Sequence, residues 1–169
     1  MQQTITISVI TITYNAATVL QRTLDSVAHQ TYQHIEHLII DGASKDDTLA
    51  IAHRYAEGKN YPVVIQSEPD KGIYDAMNKG MAKATGDYLV FLNAGDVFHA
   101  DDTLQTVCQT IALQTAGNTS APLPAVVYGD TAIVDEQGHF LRLRRLRPPH
   151  QLSWRSFRWG MLVCHQSFY

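Results

Sequence analysis

Three short segments carry side chains that could do chemistry. In Leu38-Ile-Ile-Asp41-Gly-Ala-Ser44 a carboxylate follows an apolar run and precedes a glycine. An aspartate there can accept a hydrogen bond from the N–H of a heterocyclic base, and Gly42 lets a ligand come close. It can also be a plain turn or helix-start aspartate. Tyr14, flanked by Thr13 and Asn15 at the end of an earlier apolar stretch, offers a ring on which a planar base can stack. The alternative is a half-buried edge aromatic. In Phe91-Leu-Asn93-Ala-Gly95-Asp96 the final carboxylate can hold a hard divalent cation. Mg²⁺ and Mn²⁺ take oxygen ligands from a carboxylate or two and complete their shell with substrate phosphates. Otherwise Asp96 caps a helical turn. In Glu68-Pro-Asp-Lys-Gly-Ile-Tyr-Asp75-Ala-Met-Asn78-Lys79-Gly80, helical spacing puts Asp75, Asn78 and Lys79 on one side and Ile73, Met77 and Met81 on the other. The polar side suits a ribose and pyrophosphate, or it is a solvent face. No Gly-x-Gly-x-x-Gly occurs at the first strand–helix turn and no Walker-A lysine pattern is present, which weakens rival phosphate-binding readings.

The elements that must position these groups follow from periodicity. Residues 4 to 12 alternate as a strand does, and 17 to 30 carry a helical stripe of Leu20, Leu24 and Val27. Residues 35 to 41 read as a second strand. Ser44 and Asp47 form a variant capping box for a helix with Leu49, Ile51, Ala52 and Tyr55. Residues 62 to 67 are a third strand. Ile73, Met77, Met81 and Ala84 mark another helix, stopped by Gly86. Residues 88 to 92 are apolar throughout, as in a buried strand, and Leu104, Val107, Cys108 and Ile111 mark a further helix. A loop over 115 to 124 leads to a hairpin of 126 to 134 and 139 to 146. Alternating strands and helices imply a three-layer α/β/α fold with a central, mostly parallel sheet. Ligands then bind outside the carboxyl ends of the strands, the edge that holds Tyr14-Asn15, Asp41–Ser44 and Asn93–Asp96.

Composition sets wider bounds. The 169 residues are 45% hydrophobic and 17% charged, ordinary values for a soluble domain with its own core. Two cysteines, Cys108 and Cys164, make no disulfide framework, which favours a reducing compartment. The N-terminus lacks the pattern of a secretory signal, and no apolar run approaches the roughly 20 residues that span a bilayer. Up to Glu136 there are 16 acidic and 7 basic residues, a balance of −9; beyond it lie 6 arginines between Arg142 and Arg158 and no acidic side chain, a balance of +6. Such a basic segment meets phosphate or an anionic membrane surface, or it is a solvated face that pairs with the acidic body. His29, His34 and His37 straddle a helix end and a strand start and read as surface residues.

Five ordered motifs, from Ser8-Val-Ile-Thr-Ile-Thr-Tyr-Asn15 through Leu24-Asp-Ser-Val-Ala-His-Gln-Thr31, Ile39-Ile-Asp-Gly-Ala-Ser44 and Asp46-Asp-Thr48 to Phe91-Leu-Asn-Ala-Gly-Asp96, resemble glycosyltransferase family 2 and its GT-A fold. Asp70–Gly80 and Tyr128-Gly-Asp130 are similar to bacterial members that build exopolysaccharides and cell-surface glycans. The resemblance implies inverting transfer from a UDP- or GDP-linked sugar to a glycan or lipid-linked acceptor, with Mg²⁺ or Mn²⁺ and no nucleic acid, in the cytoplasm or at the inner face of the membrane. Tyr14 and Asp41 match nucleobase-holding positions, and Asp96 matches the last aspartate of the metal-binding Asp-x-Asp region, whose first acidic position is Asn93 here. The donor-facing set is then Thr13, Tyr14, Asn15, Asp41, Asp75, Asn78, Lys79, Asn93 and Gly95, with Asp96 at the metal.

The family also needs a general base well after Asp96. No side-chain carboxylate follows Glu136, so the expectation is a single domain truncated at its C-terminus: a donor-binding half over 1–115 and the start of an acceptor-side half over 116–169. Asp130 and His165 are the substitute bases within the chain. The rivals are a donor-binding module without catalysis and a nucleotidyltransferase that makes the activated sugar. The latter wants a basic, glycine-rich loop where Asn15-Ala-Ala-Thr18 stands.

Overall fold

Ile7–Thr13 (β1) and Ile35–Asp41 (β2) are buried at every position, which places both in the middle of a sheet covered on two faces. In the computed structural model, which describes residues 4–115, 122–145, 155 and 164–169, Val63–Ser67 (β3) pairs with β2 and Tyr88–Phe91 (β4) pairs with β1. The order is β3-β2-β1-β4, all parallel. Ala17–Ala28 (α1), Thr48–Ala56 (α2), Ile73–Met81 (α3) and Thr103–Thr115 (α4) are the connecting helices. Ala132–Val134 (β5) and Phe140–Leu143 (β6) form the expected antiparallel hairpin, shorter than its apolar pattern.

Strand periodicity sorts the core into layers. Val9 and Ile39 point to the face covered by α1, α2 and α4, where they meet Val27, Leu20, Leu24, Ala52, Leu104 and Ile111. Ile10, Ile12, Leu38 and Ile40 point to α3. The three-layer arrangement is therefore the expected one. Its sheet is parallel except at one margin, where the segment 164–169 returns beside β4. Leu89 and Tyr169 exchange backbone hydrogen bonds of 2.9 and 3.0 Å, and Val127 and Phe168 exchange bonds of 2.9 and 2.8 Å.

Four local expectations need correction. Ser44 does not cap α2, whose preceding residue, Asp47, makes no side-chain cap. Asp46 instead accepts from Thr48 N and Oγ1, at 3.1 and 2.5 Å, and Ser44 is engaged elsewhere. Helix α3 buries Ala76 and Gly80 and leaves Ile73 and Met81 about half exposed, at 47% and 48%. The helix lies so close to the sheet that a Cβ on Gly80 would stand 2.5 Å from Ile10 Cγ2, so small residues take the contact that the larger ones were expected to make. Gly86 does not stop α3, which ends at Met81. It is required because a Cβ there would stand 2.8 Å from Thr6 O and 2.7 Å from Ser8 Oγ.

The fourth is His37, which is fully buried rather than on the surface. Its strand register turns it under α2, where Nε2 lies 2.9 Å from Thr11 Oγ1 and Nδ1 lies 2.8 Å from Tyr55 OH. Burial, helped by Lys59, pushes its pKa from 6.5 down to about 3. The unfolded chain therefore takes up a proton below about pH 6.5 that the folded chain refuses. Stability is fully present above that value and is lost as pH falls toward about 3, by up to about 1.4 kcal/mol per pH unit. Urea unfolding between about pH 7 and pH 4.5 should lose stability more steeply in the parent than in His37→Gln; parallel profiles would contradict this account.

Candidate functional site

The carboxyl ends of β1 to β4 meet at one edge, and the register sets Thr13 beside Asp41 and Asp41 beside Ser67. Asp41 is fully buried. Its Oδ2 accepts from Ser44 N at 2.9 Å and Ser67 Oγ at 2.6 Å, and its Oδ1 accepts from Ser44 Oγ. Ser44 Oγ in turn accepts from Asn15 N at 2.8 Å, and Asn15 Oδ1 accepts from Lys45 N at 2.9 Å. These bonds hold two non-glycine residues in the left-handed region, Asn15 at φ 47° and Ala43 at φ 63°. Ala43 lacks the polar side chain that eases this conformation. Asp41, expected to face a base, is thus turned inward and organises the two loops around it.

What faces outward above it is Tyr14, 61% exposed. A Cβ on Gly42 would stand 3.2 Å from Tyr14 Cδ2 and 2.6 Å from Asp70 Oδ2. Asp70, which sequence reasoning did not single out, therefore joins Tyr14 at this corner. The signal was its place in Glu68-Pro69-Asp70, just after a strand end on the ligand-facing edge.

Asp75 and Lys79 are directed at the loop that carries Asp70. Lys79 Nζ lies 2.9 Å from Glu68 Oε1, 3.5 Å from Asp75 Oδ2, and donates to Pro69 O at 2.8 Å. Asp75 Oδ2 also accepts from Lys71 N at 3.0 Å. The Lys71 amide and the Lys79 charge hold the Asp75 carboxyl below its usual range, and the Glu68 and Asp75 carboxylates hold Lys79 above its own. Asn78 is exposed beside them.

At the other end of the edge, Gly95 adopts φ 101° and its N–H donates to Thr23 Oγ1 at 2.8 Å, fixing the turn between Asn93 and Asp96. His165, on the returning segment, places Nε2 3.2 Å from Asp96 Oδ2. Its Nδ1 lies 3.7 Å from Cys164 Sγ. Bonds to Asp96 and Cys164 push His165 up to about 9, so it is charged near neutral pH and is no proton acceptor in this arrangement. Burial pushes the Cys164 thiol up, but bonds with His165, the Gln166 backbone and Thr131 outweigh it and bring it to about 7.

Asp130 is exposed and does not lie on a strand as expected. It sits on irregular chain between the Val127–Phe168 bridge and β5, next to Thr131, which reaches Cys164. Three polar atoms are buried without a hydrogen-bond partner among the described residues, Thr13 Oγ1, Gln66 Oε1 and Asn93 Oδ1, and those of Thr13 and Asn93 lie at the carboxyl ends of β1 and β4. Unsatisfied buried groups are rare in a native fold.

A divalent cation fits the donor set at Asp96 in part. Among the described residues no three metal-ligating side chains converge, but the Asp96 carboxylate is present, and His165 beside it joins a donor set only by giving up the proton it holds in this arrangement. That incomplete set suits a cation that completes its shell with phosphate oxygens and water.

Residues 8–168 match the sequence profile described as Glycosyl transferase family 2. The chain is 40% identical over 123 residues to a PGL/p-HBAD biosynthesis glycosyltransferase of Mycobacterium bovis, covering 73% of this chain and 45% of that protein. It is 35% identical over 95 residues to the putative teichuronic acid biosynthesis glycosyltransferase TuaG of Bacillus subtilis, covering 56% and 38%. The chain thus spans less than half the length of either relative. Among solved structures it is similar to the mannosyltransferase PcManGT of Pyrobaculum calidifontis in complex with GDP-Man and Mn²⁺, with 26% identity and a TM-score of 0.62 over 76% of this chain and 35% of that one. S. aureus TarS shares the fold, at 23% identity and a TM-score of 0.57 over 75% and 24%. With its five ordered motifs and the three-layer GT-A fold they predicted, the chain belongs to glycosyl transferase family 2.

Proposed function

We propose that this chain is the donor-binding part of a metal-dependent, inverting glycosyltransferase. It transfers sugar from a UDP- or GDP-linked donor to a glycan or lipid-linked acceptor in cell-surface polysaccharide synthesis. The observation that carries this reading is the shared edge. An exposed Tyr14 ring beside Asp70 stands at one end and the Asp96–His165 pair at the other. The named roles of the mycobacterial and Bacillus relatives and the GDP-Man and Mn²⁺ held by PcManGT support it.

In this reading Tyr14 stacks on the base and Asp41 acts from beneath by holding Ser44 and Ser67. The loops at Asn15 and Gly95 approach the ribose and diphosphate, with Asn78 at the rim. Asp75 and Lys79 shape the loop between them rather than touch the donor. Thr13 Oγ1 and Asn93 Oδ1 find their partners on the bound donor. Asp96 would hold Mg²⁺ or Mn²⁺, which when bound supplies positive charge for the departing diphosphate. Asp130 takes the proton of the acceptor hydroxyl. Residues 1–115 form the donor half, and the acceptor half that starts at 116 returns 164–169 to the donor sheet. The exposed Arg142, Arg145 and Arg155 give this half basic surface for peripheral contact with the inner face of a membrane, and Arg147 and Arg158 lie outside the described residues. Among the described residues no helix is long and apolar enough to cross one.

Titration calorimetry with UDP and GDP in Mn²⁺ tests the metal role. Asp96→Asn should weaken binding at least about tenfold, since a bond to a charged group is worth about 1.5–3 kcal/mol; unchanged metal-dependent affinity would exclude it. Asp130→Asn should lower kcat about 10²- to 10⁴-fold with donor affinity intact. A variant that turns over as fast as the parent would remove Asp130 from the chemistry.

A further inference from the structure

We propose that the β5–β6 hairpin seats in the surface of an anionic lipid bilayer, with Phe140 and Leu141 entering the hydrocarbon boundary and Arg142 and Arg145 meeting the phosphate headgroups. This deepens the peripheral membrane contact proposed above and rests on it. The register makes one side of the hairpin apolar. Residues paired across antiparallel strands share a face, and Ala132 pairs with Leu143 and Val134 with Phe140. Val134 is 39% exposed and Phe140 62%. Leu141, at the register shift beside them, is 59% exposed. A two-stranded ribbon is marginal in water by itself, and an exposed apolar face on it marks a surface that something covers.

The hairpin is held at both ends. At its base Arg144 N donates to Thr131 O at 2.7 Å. At its tip Asp135 Oδ1 accepts from Gln137 N and His139 N at 2.9 and 2.8 Å, and Arg22 Nη1 on α1 donates to Glu136 O at 3.5 Å. The apolar face is therefore presented on a fixed mount.

Charge decides the occupant. Arg142 and Arg145, in and just after β6, are exposed. From Gln137 to Tyr169 the sequence holds 6 arginines and no acidic residue, and Asp135 and Glu136 sit at the turn, the other end of the hairpin. A second copy docked through this face would set arginines against arginines across a twofold axis. An anionic bilayer supplies both halves of the match at one surface, hydrocarbon for the aromatic and leucine side chains and phosphates for the guanidinium groups. Strand β5 begins just after Asp130 and Thr131. A seated hairpin thus carries the group proposed as the base toward a lipid-linked acceptor.

The test is co-sedimentation with vesicles of phosphatidylcholine alone and of phosphatidylcholine mixed with phosphatidylglycerol. The parent should bind the mixed vesicles and not the neutral ones. The double variant Phe140→Ser, Leu141→Ser should weaken binding at least about tenfold through lost apolar burial. The double variant Arg142→Ala, Arg145→Ala should weaken it about 25-fold, about fivefold for each arginine. Phe140→Trp should tighten it, because tryptophan favours the membrane interface, and a damaged fold could not give that result. Thermal unfolding of each variant should stay near that of the parent. Equal recovery of the parent and the serine variant on mixed vesicles, or a Phe140→Trp that binds no tighter, overturns the role of the hairpin and leaves a purely basic membrane contact standing. Equal recovery of the parent on both kinds of vesicle overturns the anionic match. A parent that elutes as a dimer beside a monomeric serine variant assigns the face to a second copy and overturns the proposal. A parent that binds neither vesicle overturns the hairpin and the membrane reading together.

Discussion

The carboxylate of Asp41 is buried at the end of β2, and three donors converge on it: the Ser44 amide, the Ser44 hydroxyl and the Ser67 hydroxyl. A buried carboxylate without partners is strongly unfavourable, so these bonds are obligatory rather than incidental. Through Ser67 they tie β3 to β2, and through Ser44 and Asn15 they tie the loop after β2 to the loop after β1. Ala43 stays in its left-handed conformation because the residues on either side of the turn are bonded across it. This inward network fixes the backbone that carries Gly42 and the exposed Tyr14 ring.

The far end of the edge is built by a different device. Asp96 and His165 are separated by 69 positions, yet their side chains meet at 3.2 Å. They meet because Phe168 and Tyr169 pair antiparallel with Val90 and Leu89 at the margin of an otherwise parallel sheet. The same pairing brings in Val127, so the chain leading to Asp130 and Thr131 leaves the sheet next to Cys164 and His165. Asp96 and the chain around Asp130 thus share one hydrogen-bonded frame. Helix α3 completes it on the opposite face. Its Ala76 and Gly80 let it lie against Ile10 and Ile40, and its Lys79 and Asp75 brace the loop bearing Asp70.

Alternation of strands and helices made the layered fold and the ligand-facing edge legible in the sequence, because both depend on local periodicity and on the rule for open parallel sheets. Thr13, Tyr14, Asp41, Asn93 and Asp96 all lie on that edge. The direction in which a side chain turns was less legible. Asp41 and His37 share the face of β2 that meets α1 and α2, and burial there follows from packing by helices whose position no single strand announces. Apolar character alone misplaced the buried side of α3, where closeness of approach favours Ala76 and Gly80 over Ile73 and Met81. Asp70 was hidden for the same reason, since the need for Gly42 comes from a through-space contact 28 residues away in sequence. Residues 116–121, 146–154 and 156–163, which include part of the expected loop and basic segment, lie outside the described structure.

The central claim is that one edge of the sheet holds both ends of a sugar nucleotide, with the base at Tyr14 and the diphosphate with its cation at Asp96. Anomalous diffraction at the manganese edge, from crystals grown with Mn²⁺ and UDP or GDP, tests it most directly. The account predicts one strong anomalous peak within coordination distance of Asp96 and a diphosphate oxygen, with the base lying on the Tyr14 ring. A peak elsewhere on the molecule, or a nucleotide bound away from this edge, would contradict it.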